Sequence, residues 1–405
     1  MHYDVIVIGA GLAGLVAAVR QAQAGRSTLL LAKGQGSLPW SSGCIDLWPG
    51  EQPRAAIAEL PATHPYQLAG LGALDEALAW LQDLARAARY PLAGSSRRNL
   101  ALPTALGTWR PAALAPHTMI AAERSALGGP VLVAGWTQVR DFYPPMIAAR
   151  LCEQGYAARG IYLPPPPSER SLDFSSMQMA RLFEDAAFRQ AIGRQLRERR
   201  GEARLILLPA VLGLGNAAAI VAELQALSGA LIAEVPTLPT NVPGVRLQQL
   251  MTNALIAAGG RLQLNAEVTR GDWDGPNLRR VWTRAAVREQ GHSAERFVLA
   301  TGGIGGGGLR AEYDQPLRET ALDLPVRQPF SREGWFAADV AAIQPVFTAG
   351  IAVDQDLRPV DAAGAPIAAN LRVAGAALAG ADLIRERCVE GVALASGWRA
   401  GEREF

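Results

Sequence analysis

A short run of apolar and β-branched residues, Tyr3 to Ile8, leads straight into Gly9-Ala10-Gly11-Leu12-Ala13-Gly14. A helix-period stretch from Leu15 to Ala24 follows, stops at Gly25, and gives way to a second apolar strand, Thr28 to Leu31. Strand, glycine turn, helix and strand within about 30 residues make a βαβ unit of the doubly wound class. In such a turn Gly9 permits the tight bend, Gly11 lets the backbone approach a phosphate, and Gly14 allows close helix–strand packing. The helix start adds free N–H groups and the positive end of its dipole. The pattern points to a nucleotide or flavin phosphate, against the plainer alternative of a tight turn alone. The fold expected is α/β: a Rossmann-like, doubly wound flavin-binding domain, discontinuous in sequence, with an inserted second α+β lobe.

The second strand departs from the usual pattern. Dinucleotide sites place a carboxylate about 20 residues past the glycines for the adenosine ribose. Here the strand ends Leu30-Leu31-Ala32-Lys33, with Ala32 at the carboxylate position and the chain's single lysine after it. An alanine is poor for a ribose and a lysine suits a phosphate. This favours a mononucleotide flavin, FMN, with FAD as the alternative if the dinucleotide is anchored differently; an exposed Lys33 without a ligand is the plainer reading. Further candidates for the cofactor are the loop residues Ser41, Ser42 and Gly43, and the Thr301-Gly302 turn after an apolar strand. Gly375 and Asp382 near the C-terminus complete the set. Serine and glycine are also ordinary turn residues, and Asp382 at a helix start is equally an N-cap.

Composition removes other classes. The 405 residues carry 39 basic and 37 acidic side chains, a net charge of +2 that gives no electrostatic footprint for nucleic acid. Three scattered cysteines, Cys44, Cys152 and Cys388, cannot supply four thiolates to an iron–sulfur cluster. The four histidines show no metal-ligand spacing, so no metal site is expected. Redox chemistry here requires an organic cofactor. The uncharged stretch Val5 to Val19 follows Asp4 rather than a basic segment, which argues for a cytoplasmic N-terminus. The second uncharged stretch, Leu205 to Ala222, is broken by Pro209, Gly213, Gly215 and Asn216 into a strand, a turn and a helix. No membrane span is expected.

The layout expected is a flavin domain from 1–50, 241–310 and 366–405, an inserted substrate or partner lobe at 51–240, and a return of that lobe at 311–365. Leu71–Ala88 reads as a helix, Ser175–Arg200 as one or two, and Leu247–Ala258 as another. Arg261–Val268, Arg279–Arg284 and Arg296–Thr301 read as strands, Asn370–Val373 as a short strand, and about Asp382–Trp398 as the last helix. The proline run Pro164–Pro167 marks a lobe edge.

Several motifs in order along nearly the whole chain resemble the B-subunit family of anaerobic sn-glycerol-3-phosphate dehydrogenases. They are Gly-Ala-Gly-Leu-Ala-Gly at 9–14, Lys-Gly-Gln-Gly-Ser-Leu at 33–38 and Ser-Ser-Gly-Cys-Ile-Asp-Leu at 41–47. Arg-Asp-Phe-Tyr-Pro at 140–144, Pro-Thr-Leu-Pro at 236–239, Gly-Val-Arg-Leu at 244–247 and Asn-Leu-Arg-Val-Ala-Gly at 370–375 continue the series. The resemblance implies an FMN-dependent subunit that joins an FAD-bearing A subunit and an iron–sulfur, membrane-associated C subunit at the inner face of the cell membrane. It implies oxidation of glycerol 3-phosphate to dihydroxyacetone phosphate, with electrons passed to quinone. Arg246 is then the first candidate for a substrate-phosphate clamp and Arg140 the second, because a guanidinium fork matches phosphate oxygens; a structural ion pair is the alternative for Arg246. The family's Gly-Cys-Gly-Gly-Gly run stands here as Arg387-Cys388-Val389-Glu390-Gly391. That departure favours one rival, a non-catalytic assembly or relay subunit with a degenerate flavin site; a further alternative is a stand-alone flavin oxidoreductase for another hydroxy acid.

Overall fold

The computed structural model describes residues 2–164, 175–284, 288–329 and 331–402. Pro165, Pro166 and Pro167 of the proline run lie outside the described residues. The chain divides into two compact units, one of Met1–Ser37, Asp46–Leu81 and Gln249–Phe405, the other of Leu38–Ile45 and Gln82–Gln248. In chain order come β1 (His2–Ile8), α1 (Leu12–Gln23), β2 (Thr28–Leu31), α2 (Leu71–Ala87), β3 (Val131–Gly135), α3 (Pro144–Glu153) and β4 (Ala158–Tyr162). Next are α4 (Ser176–Leu182), α5 (Ala186–Arg199), β5 (Leu205–Pro209), α6 (Ala217–Ser228), β6 (Leu231–Val235) and α7 (Val242–Ala257). The last are β7 (Arg261–Gln263), β8 (Glu267–Asp274), β9 (Asn277–Arg284), β10 (Glu289–Leu299), β11 (Leu371–Val373) and α8 (Val389–Ala400). Shorter elements lie between them.

In the first unit β1 is central. The strand order is β7-β2-β1-β10-β9-β8, with β11 also paired to β10. β1 runs parallel to both β2 and β10, and Val5, Ile6 and Val7 are fully buried. That double burial is why its sequence is a continuous apolar run rather than an alternating one. α8 lies against α1 almost backbone to backbone: a Cβ on Gly397 would meet the Ala13 carbonyl oxygen at 2.5 Å, and one on Gly401 the Ala17 Cα at 2.9 Å.

Three local expectations change in the structure. The Arg261–Val268 strand is two strands, because Asn265 takes φ +57 and turns the chain out of the sheet between β7 and β8. The Arg296–Thr301 strand begins earlier, since β10 first pairs antiparallel with β9 and only then parallel with β1. The last helix starts at Val389 rather than near Asp382. Before it, the Asp382 Oδ1 accepts the Arg385 N–H, the Glu386 Oε1 accepts the Asp382 N–H, and Arg387 sits at φ +51, so 382–388 is a knot of turns.

The division into units also differs from the expected insertion at 51–240. Residues 46–81 belong to the first unit: the buried Tyr66 hydroxyl donates to the Leu47 carbonyl, and a Cβ on Gly391 of α8 would meet that hydroxyl at 1.9 Å. Residues 311–365 belong there as well. Leu322, Leu324 and Ile351 share one apolar cluster with Ile6, Leu31 and Phe297.

The second unit holds its own four-stranded sheet, ordered β6-β5-β3-β4 with every pairing parallel. The uncharged Leu205–Ala222 stretch resolves into β5, a turn and the start of α6. In that turn the Glu184 carboxylate accepts the N–H groups of Leu214 and Gly215 at 2.6 and 3.0 Å. Among the described residues no helix is long and apolar enough to cross a membrane.

At the heart of this unit is a buried ion pair. Arg246 on α7 donates to both Glu234 oxygens at 2.7 and 2.9 Å and to the Gly213 carbonyl at 2.8 Å. Glu234 also accepts Thr118 Oγ1 at 2.7 Å and the Leu212 N–H at 2.8 Å, and the two charged side chains are 2% and 0% exposed. Burial alone would push the guanidinium pKa down; the doubly bonded Glu234 carboxylate outweighs it and holds that pKa above the usual arginine range. Arg246 is therefore the structural ion pair, with its fork spent inside the protein, and not an outward-facing phosphate clamp. Removing one partner of a buried pair strands the other charge, at a cost of about 3–5 kcal/mol. Arg246→Ala should lose that much stability in urea unfolding, and the double change Arg246→Met with Glu234→Leu should lose clearly less.

Candidate functional site

The glycine turn has three distinct jobs, one for each glycine. Gly9 takes φ +113, and a Cβ there would meet the Ala300 carbonyl oxygen at 2.2 Å, so only glycine fits. Gly14 is closed to any side chain by the Gly9 carbonyl oxygen, 1.9 Å from where its Cβ would stand. Gly11 is different. Its φ of −73 suits any residue, and nothing lies within 4 Å of an added Cβ. The protein has no steric need for glycine there; the need arises once something approaches the backbone from outside. Gly11 caps α1 with no side-chain hydrogen bond, and the first turn of the helix holds no acidic residue. The first N–H groups of α1 are thus left to an anion.

Other predicted residues gather around this turn. The Ala300 N–H donates to the Ile8 carbonyl and brings the Thr301-Gly302 turn beside Gly9. Gly302 takes φ +86, and the Thr301 hydroxyl is a buried polar atom without a hydrogen-bond partner among the described residues. An unmet buried hydroxyl next to an open phosphate cradle fits a polar ligand. Gly375 takes φ +71, gives its N–H to Ser396 Oγ at 2.8 Å, and lies so close to Ala13 that a Cβ would touch it at 2.8 Å. Its role is to seat α8 and the start of α1. Past β2, Gly36 returns to the turn: its Cβ would stand 2.8 Å from the Gly11 nitrogen.

The remaining candidates sit elsewhere. Lys33 is well exposed and bonded to Glu267 at 2.9 Å, so its charge is already paired. Asp382 is fully buried and accepts from the Arg385 and Gln344 N–H groups, which makes it a turn-builder. Ser41, Ser42 and Gly43 belong to the second unit. The two hydroxyls there accept the Gly43 and Cys44 N–H groups, and Gly43 presses on Pro243. Arg140 is exposed on the loop that follows β3.

One cluster was not foreseen. His64, Glu386 and Cys388 bring their polar atoms within 4.8 Å of one another. The Tyr66 N–H points at His64 Nδ1, which places the ring proton on Nε2, and Nε2 donates to Glu386 at 2.9 Å. A metal on Nε2 would need the proton moved to Nδ1, against that amide. Burial and then the Glu386 carboxylate push the Cys388 thiol up, so it stays protonated. The cluster reads as a hydrogen-bonded clasp. Glu267 was also missed, since it lies far from Lys33 in sequence inside what reads as one continuous strand.

The turn, the open Gly11 and the β1–α1–β2 order define a Rossmann-like nucleotide-binding protein. The chain belongs to the FAD binding domain family, whose model matches residues 4–392. It also belongs to the B-subunit family of anaerobic glycerol-3-phosphate dehydrogenases. The B subunit of that enzyme from Yersinia pestis is 33% identical over 416 residues, covering 98% of this chain and 96% of that protein. The one from Pectobacterium carotovorum is 32% identical, covering 100% and 98%. A probable B subunit from Halobacterium salinarum is 31% identical, covering 98% and 96%. Among solved structures, a 3-ketosteroid Δ1-dehydrogenase from Sterolibacterium denitrificans aligns over 99% of this chain and 98% of its own, with TM-score 0.46 and 12% identity. Membership of the two families makes the protein a flavin oxidoreductase. An FAD binding domain gives no support to FMN as the first choice, and the premise for that choice weakens at Glu267, a carboxylate beside the end of β2.

The glycines separate binding from folding. Gly11→Val should purify folded by circular dichroism but without the flavin absorbance near 450 nm, whereas Gly14→Val should fail to fold. A Gly11→Val chain with full flavin content would remove the phosphate from this turn.

Proposed function

We propose that this chain is the B subunit of a membrane-associated complex that oxidises glycerol 3-phosphate to dihydroxyacetone phosphate and passes the electrons to quinone. The full-length kinship with proteins named as that subunit carries the reading, and the intact phosphate turn supports it. When bound, the flavin would supply a hydride acceptor for the substrate carbinol, whose hydroxyl proton would pass to a general base. The chain's own residues hold it: Gly11 and the first turn of α1 at the phosphate, with Thr301 as a hydroxyl donor beside it.

The substrate phosphate needs a cation. Arg246 is committed to Glu234, and Arg140 is the candidate by its place in the sheet. Arg140 follows β3, and β3 lies between β4 and β5 in its sheet. The chain leaves β3 for one neighbour and later returns on the other side, so this is a topological switch point. Open parallel sheets take ligands outside the carboxyl ends of their strands at such points. A guanidinium there offers a bidentate contact to phosphate.

The partners follow from what the chain lacks. Cys44 and Cys388 are buried and Cys152 is exposed, none of them in a disulfide, and three scattered thiols fall short of the four ligands of a cluster. Electrons leaving for quinone need an FAD-bearing A subunit and an iron–sulfur C subunit, which would hold this chain at the inner face of the membrane. A second reading, a relay subunit with a weakened flavin site, draws on Arg387 and Glu390. Arg387 takes φ +51, a conformation suited to the glycine of the family pattern, and Glu390 puts a negative charge in the first turn of α8.

Anaerobic addition of glycerol 3-phosphate should bleach the flavin of the pure chain, while quinone reduction should require the partner subunits. A flavin that stays oxidised favours the relay reading; robust quinone reduction by the chain alone rejects the complex. Arg140→Ala should raise KM for glycerol 3-phosphate about ten- to a hundredfold, the scale of a lost charged hydrogen bond, with little change in kcat.

A further inference from the structure

We propose that Glu267 supplies the carboxylate that Ala32 lacks, and that it reads the ribose hydroxyls of the adenosine half of FAD. The inference rests on the flavin reading of the glycine turn and adds which end of the cofactor the chain selects.

The backbone brings Glu267 to the right place. The Ala32 N–H donates to the Gln263 carbonyl, and the Ala32 carbonyl accepts the Ala266 N–H at 2.9 Å. Asn265, at φ +57, turns the chain just there, so β8 begins with Glu267 immediately beyond the end of β2. Its Oε1 lies 2.9 Å from Lys33 Nζ, the residue after Ala32. The loop that begins at Lys33 then folds back until Gly36 touches the Ala10–Gly11 backbone. The carboxylate and the phosphate turn are therefore joined by one short loop and two adjacent strand ends. This is the span that a dinucleotide crosses between pyrophosphate and ribose.

Stability gives no competing reason for the pair. The Lys33 side chain is 77% exposed and Glu267 37%, and an exposed pair of this kind adds little to folding. What Lys33 does provide is a counter-charge that keeps an ionised carboxylate pointed at the end of β2. A ribose diol offers two O–H donors to such an acceptor, whereas FMN ends at its phosphate and has nothing for it to bind.

The test uses the full chain, stripped of flavin and titrated with FAD, FMN and riboflavin by fluorescence, with circular dichroism as the check on folding. Glu267→Gln should weaken FAD about ten- to a hundredfold, the scale of charged hydrogen bonds, and leave FMN within a few-fold. The double variant Ala32→Glu with Glu267→Gln should recover FAD affinity from the usual position. Mass spectrometry of the flavin released from the native protein should find FAD. Equal loss of FAD and FMN in Glu267→Gln would assign the residue a merely structural role and overturn the proposal, as would unchanged FAD affinity or FMN as the sole released species. A native chain that binds no flavin at all would overturn the flavin reading together with it.

Discussion

The first unit depends on how closely main chain can approach main chain around residues 9–14. The Gly9 and Gly14 positions leave no volume for a methyl group, and Gly397 and Gly401 bring α8 to the same backbone distance from α1. Such contacts are stiff, because a close-packed interior cannot absorb even one methylene without moving its neighbours. The stiffness fixes the direction of the first N–H groups of α1 and the line of the Thr301-Gly302 turn. Gly11 alone faces outward within this rigid frame. Gly11 is the one glycine of the turn that the packing does not need, which is why the proposed phosphate contact falls on it.

The second unit is organised by charge instead. Glu234 and Arg246 are both shut away from water and both hydrogen-bonded: the carboxylate by Arg246, Thr118 and the Leu212 amide, the guanidinium by Glu234 and the Gly213 carbonyl. A buried pair adds less to stability than a well-packed apolar one of equal volume, but it tolerates no shift in register. It ties the end of β6 and α7 to the turn after β5, so the loops at the carboxyl end of that sheet are held at fixed spacing.

How far the sequence could be read follows from the range of the interactions. The β1–α1–β2 unit is local, and Gly9 and Gly14 make the tight turn and the close packing that their spacing predicts. The position of the Thr301-Gly302 turn beside Gly9 was legible because an apolar strand that ends in small residues lies next to β1 in a parallel sheet. Arg246 was not, because a buried and an exposed arginine look alike in sequence when the partner, Glu234, lies on another element. Glu267 was hidden for a related reason: a single positive φ at Asn265 cuts an apparently continuous strand and turns its last part toward Lys33. The α8 boundary was missed because Asp382 is a good helix cap in the abstract, and the turns that Asp382 and Glu386 build depend on contacts with Gln344 and His64.

The contact between α1 and α8 sets an order of events during synthesis. The βαβ segment is made well before the helix that braces it, with more than 350 residues between them. Until residues near 401 have emerged, the Ala13 and Ala17 face of α1 has no partner, and the turn cannot hold its final geometry. Sequence separation of this size slows folding, since a long loop must close before the contact returns any energy. The chain should thus gain its cofactor after translation rather than during it. Until then the Ala13 and Ala17 face of α1 stays uncovered.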